Sequence, residues 1–193
     1  MVPYFPECIQ SADLSILEWI QTHLVTPFCD GLFSFITHFG DGGILWILLA
    51  VGMLFFKKTR KTGLMIGAAL ILGLIFGNGI LKNLFQRVRP YDLEEALVQT
   101  PLIEKPSDWS FPSGHTLASF EAATVLMIRD KRFGIPALVL AFLIAFSRLY
   151  LYVHFPSDVL AGALLGVLFG CLGVWIVNAI WKRVEKELKN RVM

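Results

Sequence analysis

The chain has 193 residues, of which 55% are hydrophobic and only 17% charged, whereas soluble domains run to roughly a quarter charged. This excludes an ordinary soluble globule and points to an integral membrane protein of one domain. A net charge of +2 is too small to argue for a nucleic-acid partner, and Cys8, Cys29 and Cys171 form neither an even disulfide framework nor a metal-ligand spacing.

No basic region followed by an apolar stretch opens the chain, so no cleavable signal peptide is expected. Residues 1–12, with Pro3 and Pro6, read as irregular. Residues 13–26 set Leu14, Leu17, Ile20 and Leu24 at helical spacing, with Asp13 placed to cap the helix. This helix is too short and polar to span, so it reads as interfacial. Residues 27–39 predict a second short helix, stopped by Gly40-Asp41-Gly42-Gly43. The first full span is residues 43–56, ending in Lys57-Lys58-Thr59-Arg60-Lys61.

The second span, residues 62–87, carries Gly63, Gly67, Gly73 and Gly77, which permit close helix contact. A polar loop over residues 88–112 holds Glu94, Glu95, Glu104, Asp108 and Trp109 and is long enough to be a functional lid. The third span starts at Ser113 and stops before Arg129-Asp130-Lys131-Arg132. The fourth covers residues 133–152 and the fifth residues 156–181, followed by a charged amphipathic tail. The expected fold is an all-α, polytopic helical bundle of about five spans with short N-terminal interfacial or re-entrant helices. Its single domain, 1–193, divides into short helices (1–42), a transmembrane core (43–185) and a cytoplasmic tail (186–193).

Lysines and arginines cluster after the first, third and fifth spans, which puts those ends in the cytoplasm. The 88–112 loop and the turn around His154 then face outward. Arg87 and Arg89 break the charge bias on that side and are assigned to an anion site.

Three groups of polar residues converge at the outward ends. Lys82 and Arg89 are seven residues apart, so they share a face if the helix continues. Phe111-Pro112-Ser113-Gly114-His115 opens the third span. Ser113 fits a helix N-cap, the Gly114 amide belongs to an anion-binding helix start, and His115 is placed to give a proton to a leaving group. Ser147-Arg148 then lies inside an apolar run, where a cation is costly and marks function. Its planar fork suits phosphate. His154 and Asp158 follow, with Pro156 as the first residue of a new helix. Asp158 then reaches back to orient the His154 imidazole as a base or nucleophile.

The pattern Lys82-x6-Arg89-Pro90, Pro112-Ser113-Gly114-His115 and Ser147-Arg148-x5-His154-x3-Asp158 resembles the three-part motif of the type-2 phosphatidic acid phosphatases, the lipid phosphate phosphatases. The chain is similar to short bacterial members acting on undecaprenyl diphosphate or phosphatidylglycerol phosphate. The resemblance implies a phosphatase that needs neither metal nor cofactor and works through a phosphohistidine intermediate. It implies His154 as nucleophile, Asp158 as its orienting partner and His115 as general acid, with Lys82, Arg89, Arg148, Ser113 and the Gly114 amide on the phosphate. The implied substrate is a lipid phosphate or diphosphate in the cell membrane, most simply undecaprenyl diphosphate. The alternatives are phosphatidylglycerophosphate or phosphatidic acid, or phosphoryl transfer between lipids. One departure is Glu121, an acid inside the third span that the motif does not require. It is expected to face the bundle interior, protonated or paired, or to line a wet cleft.

Overall fold

The computed structural model describes residues 5–93 and 102–192, and every regular element among them is helical. Glu94 and Glu95 of the polar loop lie outside the described residues. Helix α1 spans Glu7–His23. It starts within the stretch expected to be irregular, directly after Pro6, so Asp13 is not its cap. Asp13 instead sits on the buried face with Leu17 and Ile20, at i, i+4 and i+7. The opposite face leaves Ile16 and Trp19 exposed, as an interfacial helix requires.

Helix α2, Pro27–Thr37, is capped by the Thr26 side chain, which accepts from the Cys29 amide at 3.2 Å. A tight 3-10 turn, His38–Gly43, carries the chain into α3, Ile44–Leu54. Within it Asp41 takes an extended ψ of 120°, and Gly42 and Gly43 take φ of 56° and 66°, a region closed to most side chains. The expected short helix and first span are therefore two limbs of one bent element. Pro27–Leu54 as a whole is long and apolar enough to cross a membrane.

Helix α4, Arg60–Leu72, continues through a π-helical stretch, Gly73–Leu81, into α5, Lys82–Phe85. Gln86, with a left-handed φ of 43°, ends it, and a single turn, α6, follows at Pro90–Leu93. Helix α7, Gly114–Arg129, is central and packs on α4, on α8 (Lys131–Tyr150) and on α9 (Pro156–Val192). Among the described residues four segments have the length and apolarity of spans: Pro27–Leu54, Arg60–Leu93, Lys131–Tyr150 and Pro156–Asn190. The chain is thus a multi-pass membrane protein. The third expected span, α7, has 16 residues and is ~24 Å long at 1.5 Å per residue.

Close packing of α7 and α9 depends on Gly162, Gly166 and Gly170, spaced every fourth residue. A Cβ on them would come within 2.8 Å of Ser113 O, 2.6 Å of Phe120 Cβ and 2.7 Å of Thr124 Cβ. On the second span Gly63, Gly73 and Gly77 are similarly tight, but a Cβ on Gly67 would meet nothing within 4 Å. Gly67 borders a cavity instead of a helix. Two contacts gather the cation clusters at one end of the bundle. Arg129 Nε donates to Thr62 Oγ1 at 3.3 Å, and Lys61 Nζ lies 5.5 Å from the Trp181 ring centroid. The polar groups of interest collect at the other end.

Candidate active site

His154 is the centre of that end. After α8 the chain folds back on itself: the amides of Val153 and His154 both donate to Arg148 O, at 3.2 and 3.3 Å, and Tyr152 adopts a φ of 58°. This turn buries the His154 ring. Its Nε2 lies 3.2 Å from Arg89 Nη1, while Nδ1 faces Ser110 Oγ at 3.4 Å and Asp158 Oδ2 at 3.6 Å. The tautomer with its proton on Nδ1 satisfies both sides and leaves a lone pair on Nε2. Burial, then the charges of Arg89, Arg148 and Lys82, holds the imidazole well below its usual pKa, so the ring is neutral.

Asp158 lies in the first turn of α9, as its distance from Pro156 requires. Its carboxylate accepts from the Phe155 amide at 2.9 Å, from Ser110 Oγ at 2.5 Å and from Arg87 Nη1 at 2.5 Å. Arg87 is thereby placed behind Asp158 and not in the anion site to which its charge assigned it. Its other nitrogen meets Asp13 Oδ2 at 2.6 Å, and Asp13 also accepts from the amide and hydroxyl of Ser157 at 2.9 and 2.5 Å. The guanidinium lies between the rings of Phe5 and Phe155, 3.8 and 3.9 Å from their centroids. Helix α1 is therefore tied into the support of Asp158 and the His154 turn.

Lys82 and Arg89 do converge, but not as neighbours on a helix face. The left-handed Gln86 ends the helix between them and turns Arg89 back over the site. Both hold Asp108: Lys82 Nζ pairs with its Oδ2, Arg89 Nη2 with its Oδ1 at 2.5 Å, and Arg89 Nε with its carbonyl at 2.8 Å. Arg89 Nη1 also donates to Val153 O at 2.6 Å. Burial opposes ionisation of Asp108, yet the Lys82 ammonium and the Arg89 guanidinium hold its pKa at about 2. The carboxylate occupies the position of an anion between two cations. Arg148 is buried, donates to Thr37 Oγ1 at 2.5 Å and has no partner for Nε among the described residues.

Ser113 caps α7 as expected; its hydroxyl accepts from Thr116 Oγ1 at 3.0 Å, and its amide donates to Asp158 O at 3.2 Å. The start of α7 is thus fixed to the start of α9. His115 stands one residue beyond Gly114, partly open to solvent, with Nε2 2.9 Å from Asp41 Oδ1. His115, His154, Lys82, Arg89, Arg148 and Gly114 all border one cavity of about 1160 Å³. From there it runs past Ile47, Leu64, Ile71 and Leu74 to Trp181 and Leu188 at the cationic end. Glu121 is buried in its wall against Gly73, with Oε1 lacking a hydrogen-bond partner among the described residues.

The structure thus gathers all eight motif residues and adds Asp13, Asp41, Arg87, Asp108 and Ser110. Of these, two carried a usable signal: Asp13, an acid on the apolar stripe of its helix, and Arg87, a cation that breaks the charge bias of its side. Sequence profiles give independent support. That of the PAP2 superfamily matches residues 62–182. A protein of Sulfolobus acidocaldarius named undecaprenyl-diphosphatase is 35% identical over 163 residues, covering 83% of this chain and 77% of that one. Phosphatidylglycerophosphatase B of Bacillus subtilis is 32% identical over 179 residues, covering 83% of this chain and 80% of the other. The crystal structure of a transmembrane PAP2-type phosphatidylglycerolphosphate phosphatase from Bacillus subtilis superposes with a TM-score of 0.71 at 29% identity, over 93% of this chain and 89% of that one. Motif, bundle and relatives agree, and the chain belongs to the PAP2 superfamily.

Proposed function

We propose that the chain is a lipid phosphatase that hydrolyses undecaprenyl diphosphate to undecaprenyl phosphate at the outer face of the membrane. The observation that carries this reading is His154 Nε2, 3.2 Å from Arg89 Nη1, at the polar end of an apolar cavity running the length of the bundle. The terminal phosphate binds to Lys82, Arg89, Arg148, the Ser113 hydroxyl and the Gly114 amide, displacing Asp108. His154 Nε2 attacks phosphorus, the bond to the leaving oxygen breaks with its electron pair on that oxygen, and His115 supplies the proton. Asp158 and Ser110 stabilise the positive ring. Water then attacks the phosphohistidine, giving its proton to His115, and the P–N electrons return to His154. Three cations neutralise the phosphoryl oxygens, so no metal is required.

The carrier lipid follows from the charge bias, which puts the site outside, and from the name of the Sulfolobus acidocaldarius relative. A second reading, a phosphatidylglycerophosphate phosphatase, is favoured by the Bacillus subtilis enzymes. Phosphate release from both lipids by purified protein separates them: kcat/KM is expected to be at least tenfold higher for undecaprenyl diphosphate. EDTA leaves the rate unchanged, and dependence on an added divalent metal would contradict the mechanism. In a background lacking the native cysteines, an impermeant thiol reagent on intact cells should label Leu102→Cys and spare Lys58→Cys, both exposed positions. The reverse pattern removes the outward assignment and with it the main reason for the carrier lipid.

A further inference from the structure

His115 has a carboxylate partner that the three-part motif does not contain. Asp41 lies in the 3-10 turn between the two limbs of the first span, 74 residues away in sequence and outside the matched region of residues 62–182. Three features deliver it. The extended ψ of Asp41 and the left-handed Gly42 and Gly43 turn its side chain toward α7. Gly40 lies against the His115 ring so closely that a Cβ would sit 2.6 Å from Cδ2. His38 Nδ1 holds the second oxygen of Asp41 at 2.8 Å while the first meets His115 Nε2 at 2.9 Å. The turn therefore covers the Cδ2–Nε2 edge of the ring and leaves Nδ1 as the nitrogen not committed to it.

We propose that Asp41 is the positioning residue of the general acid: it fixes the His115 ring by Nε2, directs Nδ1 to the leaving oxygen and stabilises the imidazolium that donates. The inference rests on the phosphatase reading above. The need for such a partner follows from the charges around His115. Arg148 on α8 and Arg89 in the segment after α5 both act on it, and neutral His154 faces the same cavity. Among the groups facing it, Asp41 supplies the negative charge in contact, with His38 behind it. In the forward step the Nδ1 proton passes to the lipid oxygen as the P–O bond breaks. In the hydrolytic step the neutral ring takes a proton from the attacking water, and Asp41 again stabilises the cation formed.

The test is Asp41→Asn, close in shape and uncharged, assayed with two leaving groups in detergent: phosphatidic acid, whose alkoxide needs a proton, and p-nitrophenyl phosphate, whose phenolate does not. The expected loss in kcat/KM is about 30-fold for phosphatidic acid and less than threefold for the nitrophenyl ester, a part of the roughly 10²–10⁴-fold that a positioned acid contributes. The alkaline limb of the phosphatidic acid profile should move about one unit to lower pH, because the acid keeps its proton less well without the carboxylate. Asp41→Glu should recover most of the activity. Equal losses on both substrates, or an unmoved alkaline limb, overturn the inference while leaving the phosphatase reading intact. A wild-type protein that releases phosphate from neither of these substrates nor from undecaprenyl diphosphate overturns both.

Discussion

Each of the two histidines on the cavity, His154 and His115, faces a carboxylate, and the two pairs are built in opposite ways. His154 and Asp158 are four residues apart, and both are buried. Ser110, Arg87 and the Phe155 amide fix the carboxylate. His115 and Asp41 come from distant segments, the carboxylate is 50% exposed, and a 63%-exposed histidine stands behind it. Under the proposed mechanism the difference matches two kinds of work. A nucleophile needs a dry, neutral ring with one lone pair held in place. An acid that becomes a base within one cycle has to exchange its proton with water, and a wet carboxylate–histidine chain provides that route. On that proposal one pair is a fixed device and the other an exchanging one.

The comparison breaks most completely at the fixed pair. His154→Ala should lower phosphate release by about 10⁴-fold or more, because the attacking atom is gone. In kcat/KM, which reports formation of the phosphoenzyme, His115→Ala should lose about 100-fold on phosphatidic acid and much less on p-nitrophenyl phosphate, whose leaving group needs no proton. Equal losses at the two histidines on both substrates would erase the distinction between them.

The support of the fixed pair comes next. Arg87 is buried between Asp13 and Asp158. Arg87→Ala leaves two buried carboxylates uncompensated and should cost about 3–5 kcal/mol, read as a large fall in unfolding temperature in detergent. Removing both Asp13 and Arg87 should recover part of that loss, because one uncompensated charge goes with its partner.

A smaller effect is expected where Asp108 occupies the anion site. Asp108→Asn should tighten inhibition by vanadate about fivefold, because the oxyanion no longer competes with a carboxylate for Lys82 and Arg89. Weaker inhibition would mean that Asp108 assists binding. Its pKa of about 2, against 3.8 unfolded, sets the sign of a pH effect. The depressed value contributes stability above about 3.8 that is lost as pH falls toward 2. His154, also depressed, contributes fully above 6.5 and loses that contribution as pH falls below it, since only the unfolded state takes the proton readily. Unfolding temperature should therefore fall in two acid steps, and Asp108→Asn should flatten only the lower one.

Much of the fixed pair was legible in the chain because it is local. Pro156 starts a helix, Asp158 falls in its first turn, and Ser113 caps α7, all set by residues within four positions. What sequence spacing missed depends on contacts across the fold. The Lys82–Arg89 periodicity failed because Gln86 leaves the helix, although the two side chains still meet on Asp108. Asp13 resembled a cap because a helix start and a buried acid use the same residue; only Arg87, 74 residues on, distinguishes them. The bend in Pro27–Leu54 was visible as glycines, but that it presents Asp41 to His115 was not.

The central claim is that phosphorus is carried on His154. Protein quenched within one turnover of ³²P-labelled p-nitrophenyl phosphate, whose leaving group needs no proton, should yield an acid-labile, base-stable label on the peptide containing His154. The label should be stronger in His115→Asn, where the intermediate waits for a base, and absent in His154→Ala. Label that persists in His154→Ala, or that maps to another residue, would contradict the account.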